Sequence, residues 1–261
     1  MKLSTSLLFI IGLTNLTMAQ STFIVAHRGF SSIAPENSLS AFEAAIECGA
    51  PYFELDVQAS ADGVPMVIHD ETLDRTSSSG HTGRVDHLAQ SELRQVHVGY
   101  PSKFGAEFAL EPLPTLADAL ALAKGRIKVC VEIKVSGIEE AIVSDIQEQG
   151  MASEVVVFSF LPDVLSRVHE LAPQLPLLFL KEHATADDLK VCKALKATAI
   201  GVGGQTTLDA AFVEAAAAAN IQIWRWTVDA SDEMRAMLNI PVQGLISNRP
   251  DEALRQLNAY E

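Results

Sequence analysis

The sequence has few basic residues: 19 lysines and arginines stand against 33 aspartates and glutamates, giving a formal net charge of −14. Such a surface would repel a phosphate backbone over most of its area, which argues against nucleic acid as a partner. It is an equally poor match for an anionic membrane. A small anionic substrate can still bind where local cations and a metal ion reverse the field inside a site.

Cysteine is also scarce, and the three present, Cys48, Cys130 and Cys192, are an odd number at scattered spacings. This pattern predicts neither a disulfide framework nor a zinc motif. We expect Cys48 and Cys130 to be packed in the interior, while a bridge between one pair of the three stays open.

A long apolar run is missing near the N-terminus, where residues 7–11 fall far short of the roughly 20 that a spanning helix needs. Lys2 precedes this run and the small-residue pattern ending at Ala19 follows it. The arrangement predicts a signal peptide over residues 1–19. We therefore expect a mature domain over residues 20–261, exported to the periplasm or the medium and without stable membrane insertion.

Apolar strand-like segments alternate with helical ones along the rest of the chain. Eight of them are dense in Val, Ile and Leu, as are strands buried on both faces: Phe23–His27, Tyr52–Gln58, Val129–Lys134, Val155–Phe160, Leu175–Leu180, Ile200–Val202, Ile221–Val228 and Gly244–Ser247. Eight strands with intervening helices predict an α/β fold of the (β/α)8 TIM-barrel type. An open doubly wound sheet is the alternative, but no glycine-rich phosphate fingerprint follows the first strand.

Helix signals and one interruption complete the outline. Asn37 or Ser38 can cap a helix that ends before Gly49, and Thr115 can cap the helix that follows it. The stretch from about residue 71 to 114 breaks the alternation, which predicts an insertion after the second strand and its hairpin.

Acidic side chains lie where two of the predicted strands end. Residues two apart on a strand share a face, so Glu54 projects with Asp56, and Glu132 with Lys134. At the C-terminal ends of barrel strands they point into the mouth, where active sites lie. Three carboxylates without a thiolate favour a hard divalent cation, Ca²⁺ or Mg²⁺ with Mn²⁺ as a third candidate, over zinc. Structural salt bridges are the alternative, although burying such acids is costly.

Two histidines are predicted to join this acidic group. His27 ends the first strand. Asp62-Gly63 predicts a two-residue hairpin turn, whose register places His69 opposite Asp56 on the same face. Imidazole titrates near neutral pH, so two such groups beside acids favour general acid/base chemistry.

Three further side chains are candidates for contacting a substrate. Arg28 offers a planar fork for phosphate oxygens and Lys134 a point charge, although either can instead pair with a neighbouring acid. Trp226 is predicted either to line the pocket or to pack in the core.

At these residues the chain resembles the glycerophosphodiester phosphodiesterase family. The matching motifs run in order from the first strand to the last: His27-Arg28-Gly29, Ala34-Pro35-Glu36-Asn37-Ser38, Glu54-Leu55-Asp56-Val57, His69-Asp70, Leu73-Asp74-Arg75-Thr76, Pro114-Thr115-Leu116, Val131-Glu132-Ile133-Lys134, Ser159-Phe160 and Trp226-Thr227-Val228. Each motif alone is weak, and together they are highly specific.

The resemblance implies a TIM barrel that hydrolyses small-molecule glycerophosphodiesters to sn-glycerol 3-phosphate and an alcohol. It implies a metal ion on Glu54, Asp56 and Glu132, and an acid/base pair of His27 and His69. By the same resemblance, Arg28 and Lys134 lie near the phosphate. One departure is Ser247-Asn248, where the family usually has Thr-Asp, and this puts any role of a carboxylate there in doubt.

Three rival functions remain open from the sequence. A phospholipase D or lysophospholipase D of the same barrel would need an apolar channel or rim. A catalytically silent extracytoplasmic binding protein would be expected to lose members of the acid–histidine set. A metal-dependent barrel acting on carbon acids would want a lysine base.

Overall fold

Nine strands form one continuous sheet in the computed structural model, which describes residues 22–260. They are β1 (Phe23–Ala26), β2 (Tyr52–Ala59), β3 (Pro65–Val67), β4 (Lys128–Ile133), β5 (Val155–Ser159), β6 (Leu177–Lys181), β7 (Ala199–Val202), β8 (Gln222–Arg225) and β9 (Gly244–Ser247). Eight of them run parallel and close on themselves through the β1–β2 and β1–β9 pairings, whereas β3 lies antiparallel beside β2. The predicted TIM barrel is confirmed. The predicted signal peptide at residues 1–19 lies outside the described residues.

Helices surround the barrel. In the described range they are α1 (Leu39–Glu47), α2 (Gln90–Leu93), α3 (Pro101–Phe104), α4 (Leu116–Ala123), α5 (Glu139–Glu148), α6 (Pro162–Leu171), α7 (Ala186–Ala194), α8 (Ala210–Ala219), α9 (Ser231–Leu238) and α10 (Pro250–Tyr260), with a 3-10 turn at Val85–His87. None of the helices in this range is both long and apolar enough to cross a bilayer. Cys48, Cys130 and Cys192 are all free thiols.

Each barrel strand faces two apolar layers, which explains the dense apolar composition of the strands. Phe53, Leu55 and Val57 of β2 point outward into the main core against the helices. A smaller cluster that includes Phe158 and Trp224 fills the barrel interior. Because alternate residues of β2 face outward, the residues between them must face the interior and its mouth.

Local capping signals place the helices that flank the site. Ser38, not Asn37, is the N-cap of α1, where its hydroxyl accepts the N–H of Ala41. Thr115 and Asp118 form a reciprocal capping box at α4. This leaves the side chain of Asn37 available for another contact.

The predicted register of the β2–β3 hairpin is wrong by one residue. Val57 pairs with Val67, so Ile68 and not His69 lies level with Asp56. The loop has three residues rather than two, because Gly63 adopts a left-handed conformation (φ +78°) after a tight turn, and the extra residue shifts the pairing.

His69 nevertheless reaches the mouth of the barrel. Strand β3 ends at Val67, and the chain leaves the ladder before His69, whose direction the strand alternation therefore does not set.

Residues 71–114 hold only short helical segments and pack around an apolar cluster that they share with the hairpin. Leu73, Val85, Leu93 and Val98 are buried in it together with Met66 of β3. The segment is therefore attached to the hairpin, next to the mouth of the barrel.

Candidate active site

Strand register brings the three predicted acids together. Asp56 of β2 pairs directly with Glu132 of β4, and Glu54 lies two residues before Asp56 on the same face. One carboxylate oxygen from each of the three lies within 4.8 Å of the other two. The three residues are buried: Glu54 is 2% exposed, Asp56 1% and Glu132 9%. The triad can hold a metal ion.

The pKa values of these acids show that the negative charge is only partly compensated. Burial, reinforced by Asp56 and Glu132, raises the pKa of Glu54 well above its ordinary value. Burial and Asp56 raise the pKa of Glu132 to about 7. Burial also acts against ionised Asp56, but Arg28 and Lys134 outweigh it and lower the pKa of that carboxyl.

One carboxylate oxygen of this group fits a cation particularly well. Within residues 22–260, Glu54 Oε1 is buried and has no hydrogen-bond partner, while Oε2 accepts the backbone N–H of Arg28. Since a buried acceptor without a partner is costly, a bound divalent cation would satisfy it. The donor set, all carboxylate oxygen, suits Ca²⁺ or Mg²⁺.

The two predicted phosphate-binding cations are paired with the acids. Lys134 Nζ lies 2.7 Å from Glu132 and 3.3 Å from Asp56. Arg28 donates to Glu36 at 2.8 Å and lies 3.2 Å from Asp56. Both of the pairings that the sequence left open are thus present, and both side chains still line the cavity at the mouth.

His27 is held by an amide rather than by a carboxylate. Its Nδ1 lies 2.8 Å from Oδ1 of Asn248, and its Nε2 lies 4.0 Å from Glu54. Burial and the charge of Arg28 lower the pKa of His27 to about 4. Asn248, at the position where the motifs depart from the resemblance, therefore contacts this imidazole directly.

His69 is anchored by a chain of charged groups whose contacts were not predicted from the sequence. Asp70 lies 2.7 Å from His69 Nδ1 and accepts from Arg75, which lowers the pKa of Asp70 to about 2. Arg75 also donates twice to Glu36, which in turn binds Arg28. Glu36 and Arg75 lie in the matching motifs, and that was the signal available for finding them.

Asn37 supports the acids directly. Its Nδ2 donates to Asp56 Oδ2 at 2.8 Å, and its Oδ1 accepts the backbone N–H of Asp56 at 3.0 Å. Asn37 adopts positive φ (58°), which asparagine tolerates better than most residues. Of the two predicted caps Ser38 is the one present, and the side chain of Asn37 braces the acidic group.

An apolar wall faces the charged groups across the cavity. Trp226 lines it and packs edge-on against Phe160, with ring centroids 5.6 Å apart. Phe158, Leu180 and Ile246 extend this wall. Trp226 thus lines this cavity and also packs against the apolar cluster of the barrel interior.

Gly29 is tightly packed beside His27 and Arg28. Its φ is +78°, and a Cβ there would lie 2.6 Å from the backbone carbon of Ala41. Gly63 has the same φ but no atom within 4 Å of its would-be Cβ. We expect Gly63→Ala to cost about 1–2 kcal/mol of unfolding free energy through backbone strain alone, and Gly29→Ala to cost clearly more and to reduce activity. Urea unfolding with parallel activity assays checks this; equal costs would contradict it.

Residues 27–252 match the family model described as the glycerophosphoryl diester phosphodiesterase family. The chain belongs to this family. It is therefore an enzyme of the phosphodiesterase class, and the resemblance drawn from its motifs is confirmed.

Two curated relatives show how far the similarity extends. The glycerophosphodiester phosphodiesterase of Caldanaerobacter subterraneus subsp. tengcongensis is 33% identical over 236 residues, covering 88% of this chain and 95% of that protein. The glycerophosphodiester phosphodiesterase of Bacillus subtilis is 28% identical over 257 residues, with 91% and 87% covered.

Solved structures agree on the fold. The glycerophosphodiester phosphodiesterase of Agrobacterium tumefaciens superposes with a TM-score of 0.79 at 30% identity, covering 90% of this chain and 99% of that one. A phosphodiesterase of Oleispira antarctica, in complex with the product sn-glycerol-3-phosphate, gives a TM-score of 0.83 at 24% identity, with 91% and 97% covered.

Proposed function

We propose that the protein hydrolyses glycerophosphodiesters to sn-glycerol 3-phosphate and an alcohol, with a divalent cation as cofactor. The observation that carries this proposal is a group of three buried carboxylates, two of which, Glu54 and Glu132, line one cavity together with two histidines and two cations. The product named for the Oleispira antarctica structure agrees with it. Lipid head-group fragments such as glycerophosphocholine and glycerophosphoethanolamine are the substrates we infer.

The scissile phosphate is inferred to lie beside His27 and Arg28. These two residues line both the cavity with the apolar wall and a second, polar cavity bounded by Ser31, Lys103 and Arg249. A phosphate bound between the two cavities would direct one of its ester substituents into each cavity. Arg28 and Lys134 can contact its oxygens once their present carboxylate partners are shared with a cation.

Glu54, Asp56 and Glu132 would hold the cation. When bound, the ion would neutralise phosphate charge and acidify the attacking hydroxyl. That hydroxyl comes from water or from the substrate's own glycerol; in the second case a transient cyclic phosphate forms as the alcohol leaves, and water then opens it to sn-glycerol 3-phosphate. Ca²⁺ and Mg²⁺ fit the all-oxygen donor set, with Mn²⁺ as a third candidate.

The histidines supply the proton transfers. In each ring Nδ1 faces a fixed partner, Asn248 for His27 and Asp70 for His69. Nε2 of each ring is therefore the atom that exchanges protons with the substrate. One histidine takes the proton of the attacking hydroxyl while the other protonates the leaving alkoxide, each typically accelerating the reaction by 10²–10⁴.

The proposal is tested by measuring sn-glycerol 3-phosphate release from glycerophosphocholine by the mature protein. EDTA should abolish release, and adding back Ca²⁺ or Mg²⁺ should restore it and identify the usable ion. Release of phosphatidic or lysophosphatidic acid from lipid substrates, with none from glycerophosphocholine, would instead support the phospholipase D alternative. No turnover of any phosphodiester by folded, metal-loaded protein would support the silent binding protein.

Cation affinity is expected to depend on pH. The pKa of Glu132 is about 7 in the metal-free protein, so below that pH a cation must displace its proton. Affinity should fall about tenfold per pH unit below about pH 7 for each proton displaced. Calorimetric titration with Mg²⁺ or Ca²⁺ at several pH values checks this, using buffers of different ionisation enthalpy to count released protons. A pH-independent affinity without proton release would contradict it.

We also propose that the protein acts outside the cytoplasm, because the apolar run at residues 7–11 and the small-residue pattern ending at Ala19 are typical of a signal peptide. N-terminal sequencing of protein recovered from a cell fractionation should give a chain that begins at residue 20. A full-length chain in the cytoplasm would contradict export.

A further inference from the structure

Asp229 lies behind Asn248 and does not touch either catalytic histidine. It accepts three hydrogen bonds, all from neighbouring strand-end groups. Its Oδ1 accepts the hydroxyl of Ser247 at 3.0 Å and the backbone N–H of Asn248 at 2.8 Å. Its Oδ2 accepts the side-chain Nδ2 of Asn248 at 2.6 Å.

This carboxylate fixes which way the Asn248 amide points. An ionised carboxylate can only accept hydrogen bonds, so the amide must turn its NH₂ group toward Asp229. Its oxygen then faces the opposite side, where it accepts the Ser31 hydroxyl at 2.8 Å and contacts His27 Nδ1 at 2.8 Å. A flipped amide would place two oxygens against each other at 2.6 Å.

The amide orientation in turn fixes the tautomer of His27. An amide oxygen only accepts, so the proton of the neutral ring must be on Nδ1. Nε2, which faces Glu54 and the cavity, keeps its lone pair. An amide in the other orientation would donate to Nδ1 and force the proton onto Nε2.

We propose that Asp229 is a positioning residue that, through the amide of Asn248, holds His27 in the tautomer protonated on Nδ1. Nε2 is thereby left free for proton exchange with the substrate. The inference rests on the proposed function for its catalytic meaning, although the tautomer itself can be observed without turnover.

The variant Asp229→Asn tests this sharply because it keeps the shape of the side chain. Two donors, Ser247 Oγ and the Asn248 N–H, share one oxygen of Asp229, so the oxygen of the new amide should keep that place. Its NH₂ would then face Asn248, whose amide must flip. We expect the His27 proton to move to Nε2 and kcat to fall about 10–100-fold, with KM changed far less.

The double variant Asp229→Asn/Asn248→Asp should reverse the effect. The new amide donates to a carboxylate at position 248, and that carboxylate can only accept from His27 Nδ1. The original tautomer and most of the lost kcat should return. Ser247→Ala is the matched control: it removes a hydrogen bond to the same carboxylate but leaves the Asn248 amide in place, so tautomer and kcat should stay unchanged.

The tautomer is read from ¹⁵N spectra of histidine-labelled protein at neutral pH, with and without added Mg²⁺. His27→Gln identifies the His27 resonances, and thermal unfolding confirms that each variant is folded. A wild-type His27 protonated on Nε2 would overturn the proposal without any variant. So would an unchanged tautomer in folded Asp229→Asn, or a double variant that does not recover. Failure of wild-type protein to release sn-glycerol 3-phosphate would count against the proposed function instead.

Discussion

Replacing His69 by alanine is expected to lower kcat for glycerophosphocholine by about 10²–10⁴-fold, the usual contribution of one general acid or base. KM should change much less, because the phosphate contacts inferred for Arg28 and Lys134 remain. Steady-state kinetics at a saturating concentration of the metal ion measures kcat and KM separately and checks this expectation. Activity above about a tenth of wild type would contradict the assignment of His69 as a general acid or base.

His87→Ala is the matched control for this variant. His87 lies in the segment 71–114, which begins two residues after His69, but its side chain is 72% exposed and lies outside the cavity. Its loss should leave kcat within about twofold, as is usual for exposed positions away from a site. An equal loss in both variants would point to damage of the segment 71–114 rather than to missing proton transfer.

Replacing Glu54 by glutamine is expected to weaken cation binding and, at the same time, to stabilise the metal-free protein. The loss of affinity should exceed the 10–100-fold typical of residues that only support a metal ligand. Stability should rise because ionised Glu54 is buried beside Asp56 and Glu132. The amide still offers an oxygen to the N–H of Arg28, so the local backbone contact is kept.

The sign of the stability change follows from linkage. The pKa of Glu54 is raised well above 4.5 in the folded protein, so ionisation disfavours the folded state as pH rises above that ordinary value. The glutamine variant cannot ionise at this position, so it does not lose this folding free energy. Each kcal/mol regained should raise the melting temperature by roughly 2–4 °C.

Melting curves with and without Mg²⁺ check both effects together. We expect the variant to melt above wild type in EDTA and to gain little on adding metal. The exposed carboxylate of Glu43, paired with Arg126, provides the control: Glu43→Gln should not raise the melting temperature and should respond to metal like wild type. A metal-free Glu54→Gln protein that melts below wild type would contradict the electrostatic account.

The barrel and its acids were predictable because each depends on local patterns. Apolar density identified the strands, and the period of two on β2 and β4 placed Glu54, Asp56 and Glu132 on one face. The parallel pairing of Asp56 with Glu132 then needs only adjacent strands of a barrel. Sequence patterns are therefore enough to predict a functional residue when strand alternation alone sets its position.

The supporting network was less predictable, because it depends on loop conformation. One extra residue in the hairpin loop, set by the left-handed Gly63, made the predicted pairing of His69 wrong while its place in the mouth was right. Likewise the contact of Asn248 with His27 joins residues 221 apart in sequence, and only the closed barrel brings them together. No periodic pattern encodes such contacts.

Loop engineering is limited by a chain of charged contacts at the barrel mouth. This chain runs from His69 through Asp70, Arg75 and Glu36 to Arg28. Arg75 lies near the start of segment 71–114, yet its contacts with Asp70 and Glu36 hold side chains in place at the mouth of the barrel. Grafting a foreign segment from another barrel would therefore have to begin after Arg75. The part beyond it includes Lys103, which lines the polar cavity beside Arg28, so we expect an exchange there to alter substrate preference while the Arg75 contacts stay in place.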